Sequence, residues 1–257
     1  MLALTWFSGK RAVVTGAARG IGEGVARQLA ELGAQVVAVD CDERALAAAF
    51  ADEPGISPLV GTLGDGRESA LADTVCNRFG TPELIVNNVG VDGPGSFLEI
   101  DEQDFDSVFA TNLRGPWFFT RRLVQALIDR EVGGAIVFIS SLHDHIVRTR
   151  PHYSASKAAV AMLVRELAHE LGPHGIRVNA IAPGVVRSGS VPGPGGGDEP
   201  RVRRIVPLGR IGEPRDVASM AAVLLCEEWS SYVTGANIPV DGGLNLYTWS
   251  AVESRAQ

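Results

Sequence analysis

Short apolar runs, each followed by a segment with helical periodicity, alternate along nearly the whole chain. The runs are residues 11–15, 35–40, 57–61, 83–87, 135–140, 177–182 and 236–240. Runs that are apolar at almost every position are typical of strands buried on both faces. Strands that alternate with helices, such as 21–32 and 158–171, indicate parallel strands joined by right-handed crossovers. We therefore predict an α/β chain with a doubly wound parallel sheet and helices on both faces.

One segment interrupts this alternation. Residues 188–200 (SGSVPGPGGGDEP) contain five glycines and three prolines, a composition that excludes a helix or an inner strand. The segment is either a disordered insertion or a mobile loop over a ligand site, and its place after a strand favours the loop, over about 188–206. Elsewhere, Gly33 and Gly172 follow two predicted helices where C-terminal caps are expected.

Charge and cysteine content exclude several classes of function. Against 30 Asp and Glu stand 23 Lys and Arg, a net charge of −7, which argues against a general nucleic-acid or anionic-membrane surface. The cysteines Cys41, Cys76 and Cys226 form no CxxC pair, so we expect neither a disulfide framework nor a zinc site. The first apolar run is too short for a signal peptide and no run reaches membrane-span length. These features predict a cytoplasmic protein.

A glycine-rich turn joins the first predicted strand to the first helix. It reads Thr15-Gly16-Ala17-Ala18-Arg19-Gly20-Ile21-Gly22. Such a turn lets backbone N–H groups approach a pyrophosphate at the positive end of a helix. Asp40 comes at the end of the second strand, at the separation from Gly22 that this kind of site requires. A carboxylate there accepts hydrogen bonds from an adenosine ribose and repels a 2′-phosphate, so we predict NAD rather than NADP.

Two other readings of this turn remain open. Asp40 is either the ribose ligand or an N-cap of the following helix. Arg19 is able in principle to meet a 2′-phosphate, although Asp40 beside it favours other contacts. At the end of the fourth strand, Asn88 can hydrogen-bond neighbouring loops and Gly90 allows close approach of the cofactor ribose.

A tyrosine and a lysine, Tyr153 and Lys157, stand four residues apart at the start of a long predicted helix. Residues at this spacing share a helix face, so their polar ends can share a site. A nearby ammonium lowers the pKa of a tyrosine from about 10 and makes it a usable base. A serine at the end of the fifth strand, Ser140 or Ser141, can hold the substrate oxygen. Strand position favours Ser141.

In combination, these motifs make the chain similar to the short-chain dehydrogenase/reductase family from Gly9 to about Asn245. The matching stretches are TGAARGIG, NNVG, ATNLRG, YSASK, the Pro183-Gly184 turn, PLGRIGEP and SYVTGANIPVDGG. The resemblance implies one Rossmann-type domain over residues 1–257 with a seven-stranded parallel sheet. It also implies hydride transfer between a nicotinamide and a secondary alcohol or ketone. A homotetramer is expected from the resemblance and from the apolar, aromatic C-terminal part, 229–249.

The resemblance also implies roles for single residues. Tyr153 would be the acid/base, Lys157 would bind the nicotinamide ribose and lower the tyrosine pKa, and Asn112 would hold a relay water. The Val186 backbone and Ser188, after Pro183-Gly184, would contact the carboxamide. The adenine position, often an aspartate in the family, is occupied here by Thr62, beside Leu63.

The segment between the candidate serine and Tyr153 bears on the substrate. The segment 143–152 contains His143, His145 and His152 and borders the site, which suits a polyol, sugar-like or hydroxy-acid substrate. The spacing of these histidines matches no metal-ligand pattern, so we predict no metal. Two alternatives remain: an NADP-dependent ketone reductase, such as a 3-oxoacyl carrier-protein reductase, and a catalytically silent NAD-binding protein.

Overall fold

The computed structural model describes residues 5–147, 149–187 and 199–246. Its strands are β1 (Arg11–Thr15), β2 (Gln35–Asp40), β3 (Ile56–Val60), β4 (Leu84–Asn87), β5 (Gly134–Ile139), β6 (Ile176–Pro183) and β7 (Asn237–Val240). Its helices are α1 (Gly20–Glu31), α2 (Glu43–Phe50), α3 (Glu68–Phe79), α4 (Glu102–Phe109), α5 (Gly115–Ile128), α6 (Pro151–Leu171), α7 (Glu199–Ile205), α8 (Pro214–Leu225) and α9 (Glu227–Ser230). A π-helical turn, Ala110–Arg114, joins α4 to α5.

All the strand pairings in the described residues are parallel, and the seven strands form one sheet in the order β3-β2-β1-β4-β5-β6-β7. The order reverses between β1 and β4. In doubly wound sheets, ligands bind beyond the carboxyl ends of the strands at such a reversal. The predicted fold class, a single-domain Rossmann-type sheet, is confirmed.

The inner strands are buried on both faces because alternate side chains enter two different apolar clusters. Along β1, Ala12 and Val14 join a cluster with α1 and α8, whereas Val13 joins one with α3, α5 and α6. Along β5, Ile136 and Phe138 lie in the second cluster. The uninterrupted apolar runs therefore reflect a sheet covered by helices on both sides.

Prolines mark both edges of the sheet. Pro58 lies in β3 and Pro239 in β7, the two outermost strands. Proline has no amide hydrogen to donate to a neighbouring strand, so inside a strand it is tolerated at an edge, whereas Pro183 is only the last residue of the inner strand β6.

The local predictions differ from the structure mainly at element ends. β1 and β2 have the predicted bounds, and the other five strands begin or end within one residue of them. Gly172 is the C-cap of α6, as predicted, and the chain continues as a 3₁₀ turn (Gly172–His174) to the left-handed Gly175, φ 68°. The predicted loop at 188–206 falls partly on 188–198, outside the described residues, and its last part is the helix α7. None of the described helices has the length and apolar character that crossing a membrane requires.

Candidate active site

The glycine turn between β1 and α1 depends on glycine at three positions. Gly16 and Gly20 have φ of 63° and 60°, in the left-handed region that other residues rarely adopt. A Cβ on Gly22 would collide with the carbonyl oxygen of Gly16 and the side-chain nitrogen of Asn88. Gly20, Ile21 and Gly22 form the first turn of α1, where unpaired N–H groups favour an anion.

Asp40 lies at the end of β2 and braces this turn. Its Oδ2 accepts a hydrogen bond from the Ala18 amide at 2.9 Å, and its Oδ1 accepts one from the Asp42 amide at 3.0 Å. The N-cap of α2 is Asp42, whose Oδ1 accepts the Ala45 amide at 3.0 Å. The reading of Asp40 as the N-cap is therefore wrong.

Arg19 is neutralised by an acidic neighbour in this turn. Its guanidinium donates to Oδ2 of Asp42 in an ion pair. Both side chains are about two-fifths exposed, 42% and 41%, so solvent weakens the pair. The structure thus gives Arg19 the other contact that the sequence analysis expected of it.

Asn88 ties the end of β4 to the glycine turn across the reversal in strand order. Its Nδ2 donates to the carbonyls of Thr15 and Gly16 at 3.0 and 2.9 Å, and its amide donates to Oγ1 of Thr15 at 3.1 Å. Gly90 follows, and a Cβ there would lie 3.2 Å from Nζ of Lys157. The loop after β4 therefore links the predicted cofactor turn to the predicted catalytic helix.

Two predicted adenine contacts follow β3, at the same edge of the sheet as Asp40. Thr62 is exposed, and Leu63 is buried in the apolar cluster with α3 and α5. Thr62 is thus accessible to a ligand at this edge, whereas the Leu63 side chain packs into the apolar core.

Tyr153 and Lys157 share one face of α6, as their spacing predicts. Nζ of Lys157 lies 5.8 Å from the centroid of the Tyr153 ring. Lys157 is buried, and its Nζ donates to the Ile139 carbonyl at 2.9 Å. Burial lowers the pKa of Lys157 from 10.5 to about 8, and the negative charge of Asp144 partly opposes this shift. The ammonium stands where it can stabilise a tyrosinate.

The two serines after β5 have different hydrogen bonds. The Ser140 hydroxyl donates to Oδ2 of Asp144 at 2.9 Å, so its single proton is committed. The Ser141 hydroxyl accepts the His143 amide at 3.2 Å and keeps its proton for donation. The His143 ring in turn lies edge-on to the Tyr153 ring, with centroids 6.3 Å apart. These contacts favour Ser141 as the residue that holds the substrate oxygen.

Asn112 lies in the π-helical turn, a kind of distortion common at functional sites. Its buried side chain accepts the Val91 amide at 2.7 Å and donates to the Val91 carbonyl and to Oγ of Ser156, at 2.9 and 3.0 Å. The amide therefore clamps the β4 loop onto α6, with its nitrogen donating to two partners and its oxygen accepting one.

The segment after β6 follows the predicted turn. Gly184 packs so closely against Asp241 that a Cβ would lie 2.7 Å from the Asp241 Cβ. Val186 forms a parallel bridge with Gly212 through the carbonyl of Val185 and the amide of Arg187. The N–H and C=O of Val186 take no part in that bridge. Ser188 lies outside the described residues.

Two polar residues near the site were missed in the sequence analysis, Asp42 and Asp144, whereas His143 was expected to border it. An acidic residue two positions after Asp40 was the available signal for Asp42 as a helix cap. For Asp144 no local signal exists, because its partner Asn237 lies 93 positions further along the chain. Within the described ranges, no three His, Cys, Asp or Glu side chains form a group able to hold a metal.

The comparisons with known proteins agree with this arrangement. A family model described as Enoyl-(Acyl carrier protein) reductase matches residues 16–245. The chain is 36% identical to L-xylulose reductase of Homo sapiens, over 93% of this chain and 97% of the relative. It is also 36% identical to L-rhamnose 1-dehydrogenase (NAD(P)(+)) of Azotobacter vinelandii, over 91% and 96%. A short-chain type dehydrogenase/reductase from Mycobacterium marinum superposes with a TM-score of 0.87 at 32% identity, over 95% of this chain and 98% of that one.

Proposed function

Because the chain belongs to the short-chain dehydrogenase/reductase family and is an oxidoreductase that uses a nicotinamide cofactor, we propose that it is an NAD-dependent dehydrogenase of sugar-like or polyol secondary alcohols. The observation that carries this proposal is the placement of Lys157 beside both Tyr153 and Gly90, since it joins the catalytic pair to the cofactor loop. The same residues serve the reverse reaction, reduction of the corresponding ketone.

The chemistry is divided among a few side chains. The nicotinamide, when bound, supplies the hydride acceptor for oxidation. Tyr153 takes the proton from the substrate hydroxyl, and Lys157 stabilises the tyrosinate electrostatically. Ser141 donates a hydrogen bond to the substrate oxygen and fixes its position. Asn112 holds the loop after β4 against α6 through Ser156, and the proton leaves through a water that Asn112 holds.

The preference for NAD rests on two acidic residues at one end of the predicted cofactor site. Asp40 offers a carboxylate where a 2′-phosphate would bring like charges together. Asp42 pairs with Arg19, the basic group of the turn that would favour a phosphate. The dinucleotide would be held by Gly16, Gly20 to Gly22, Asn88 and Gly90, with Val186 and Ser188 at the carboxamide.

The sugar-like substrate class is supported by polar side chains beside Tyr153 and by the names of the relatives. Nδ1 of His143 bonds the Ile146 carbonyl at 3.1 Å, which orients its ring toward Tyr153. An imidazole there suits a substrate with hydroxyl groups next to the reacting carbon. Two of the relatives are named for xylulose and rhamnose, which are sugars with such hydroxyl groups.

A panel assay tests the proposal. The protein is incubated with NAD or NADP and with polyols, aldoses, hydroxy acids and simple secondary alcohols, and absorbance of the reduced cofactor is followed. We expect turnover with NAD and polyhydroxylated substrates, and a strong loss of it in Tyr153→Phe. Turnover confined to NADPH and a 3-oxoacyl thioester would instead support the ketone reductase. Cofactor binding without turnover across the panel would support a silent NAD-binding protein.

We also propose the extent of the catalytic unit, the assembly state and the cellular compartment. Residues 1–257 act as one catalytic unit with a substrate loop within 188–206. The protein assembles as a homotetramer, supported by exposed apolar side chains on the outer helices. It acts in the cytoplasm, because Cys41, Cys76 and Cys226 are free thiols, as in a reducing compartment.

A further inference from the structure

A buried carboxylate, Asp144, lies at the end of the 3₁₀ turn Leu142–Asp144 that follows β5. Its side chain is only 3% exposed. Oδ2 accepts hydrogen bonds from Oγ of Ser140 at 2.9 Å and from Nδ2 of Asn237 at 2.6 Å, and Oδ1 contacts Nδ1 of His145. The proposed reaction gives this carboxylate no role.

The contacts of Asp144 leave its charge to be balanced by another group. Burying a carboxylate is costly unless a cation or several hydrogen bonds compensate. Ser140 and Asn237 are neutral donors, and His145 is an exposed residue. The buried cation nearby is Lys157, whose Nζ donates to the Ile139 carbonyl, one residue before the Ser140 that bonds Asp144. The negative charge of Asp144 there opposes the effect of burial on the Lys157 pKa. Ser140 connects the two residues, since its Oγ also lies 3.4 Å from the Lys157 carbonyl.

Burial and catalysis make opposite demands on Lys157. Burial favours the neutral amine, whereas a tyrosinate at Tyr153 is stabilised only by the charged ammonium. We propose that Asp144 is a positioning residue that keeps Lys157 protonated in the catalytic pH range and holds the turn bearing Ser141 through Ser140 and Asn237. This proposal rests on the function proposed above.

In the described part of the chain, the titratable groups around Lys157 come from two elements, since the loop after β4 meets its ammonium at Gly90, which has no side chain. The turn after β5 contributes Asp144, with His145 on its solvent side and His143 against the tyrosine ring, and α6 contributes Tyr153 itself. From β7 the contact is the neutral Asn237. The variant His145→Gln therefore removes the one histidine that touches the Asp144 carboxylate.

Asp144→Asn isolates the charge. Both strong hydrogen bonds end on the same oxygen, Oδ2, so the single amide oxygen of asparagine can accept both. The amide nitrogen then faces His145, whose ring can accept as well as donate. The control Asn237→Ala does the reverse, since it removes one of these hydrogen bonds and leaves the charge.

The chain contains only two lysines, Lys10 and Lys157, so the pKa of Lys157 can be measured directly. The protein is labelled with [ε-¹³C]lysine and its two side-chain signals are followed by NMR against pH, with the exposed Lys10 as internal reference. We expect Lys157 to titrate at least roughly one pH unit lower in Asp144→Asn than in the wild type. Asn237→Ala, His145→Gln and the charge-retaining Asp144→Glu should stay close to wild type.

An unchanged Lys157 titration in Asp144→Asn would overturn the proposal, and Asp144→Ser supplies the same test if the asparagine variant does not fold. A large shift in Asn237→Ala would also overturn it, because packing rather than charge would then be responsible. With a substrate in hand, the loss of kcat/KM in Asp144→Asn should grow up to about tenfold per pH unit between the two lysine pKa values. The NMR result does not depend on turnover, so failure of the proposed function remains distinguishable.

Discussion

At the scale of single residues, the site is built around Lys157, whose charged ammonium is buried and therefore unfavourable. Lys157 is buried and donates to one backbone carbonyl, at Ile139. The structure gives it that carbonyl, the carboxylate of Asp144 nearby and the ring of Tyr153. The buried ammonium lowers the free energy of unfolding, but it places a positive charge beside the reacting proton. Such losses of stability are common at active sites.

Tyr153→Phe is the direct test of the acid/base assignment. The ring and its packing remain and only the proton-transfer group is lost, so turnover should fall about 10²- to 10⁴-fold while NAD affinity, measured by calorimetry, stays close to wild type. The matched control is Tyr232→Phe, which changes a fully exposed tyrosine and should leave both quantities unchanged. Near-normal turnover in Tyr153→Phe would end the assignment.

The buried ammonium also predicts a pH-dependent stability difference. The pKa of Lys157 is lowered from 10.5 to about 8, so between these two pH values the unfolded state binds more protons and stability rises with pH. At neutral pH, Lys157→Met should therefore gain up to about 3 kcal/mol relative to wild type. Urea unfolding without cofactor should show this advantage shrinking as the pH approaches the ordinary lysine pKa. A difference that does not change with pH contradicts the prediction.

Cofactor choice should depend on Asp40 and Asp42 together. Asp40→Ala removes the carboxylate that repels a 2′-phosphate, so NAD should bind more weakly and discrimination against NADP should relax. Adding Asp42→Asn releases Arg19 while an amide still caps α2, so the double variant should bind NADP better than Asp40→Ala does. Dissociation constants for both dinucleotides measure this. Equal use of NADP and NAD by the wild type would contradict the assignment.

At the scale of elements, two distorted segments bring the site together. The glycine turn joins β1 to α1 in a conformation that Gly16 and Gly20 permit, and the π-helical turn between α4 and α5 aims Asn112 at the loop after β4. The glycine turn was evident from the sequence, since glycine spacing is a local signal. The π turn was not, because the segment has an ordinary helical composition.

Gly22→Ala tests the glycine turn. The added Cβ would meet the Gly16 carbonyl oxygen and the Asn88 amide, so the turn must open. We expect a loss of roughly 1–3 kcal/mol in the free energy of unfolding and weaker NAD binding. Gly172→Ala is the control, because a Cβ there would enter open space and the backbone already has the right-handed helical conformation that suits alanine. Thermal melting and calorimetry of both variants decide the matter, and a Gly22→Ala protein with wild-type NAD affinity would contradict it.

At the scale of the whole molecule, apolar side chains remain on the surface of the described chain. Trp117 on α5 and Met162 on α6 are about half exposed. Trp229 on α9 and Tyr232 after it are exposed to a greater extent. Solvent-facing aromatic and Met side chains are typical of interfaces. They support the proposed homotetramer.

Light scattering measures this assembly. For the wild type we expect four times the single-chain mass of 27.1 kDa. Met162→Lys places a charge on the outer face of α6 and should lower the mass if that face is an interface. Val132→Lys, a partly exposed apolar position after α5, should not. A wild-type mass equal to that of one chain would exclude the tetramer.

The sequence determined the features that neighbouring residues set by themselves. Strand and helix positions follow from side-chain periodicity, and the glycine turn, Asp40 and the Tyr153–Lys157 pair follow from spacing along one turn or one helix face. Pro58 and Pro239, which lie inside β3 and β7, also indicated edge strands, a signal that the sequence analysis did not use.

Tertiary structure alone decided how distant segments share protons and charge. Asp144 and Asn237 are 93 positions apart. They meet because the strand order β5-β6-β7 brings the 3₁₀ turn after β5 within reach of the start of β7. The same folding commits the Ser140 proton to Asp144 and leaves that of Ser141 for donation, a choice that sequence spacing left open. Such contacts depend on strand order and register, which local periodicity does not encode.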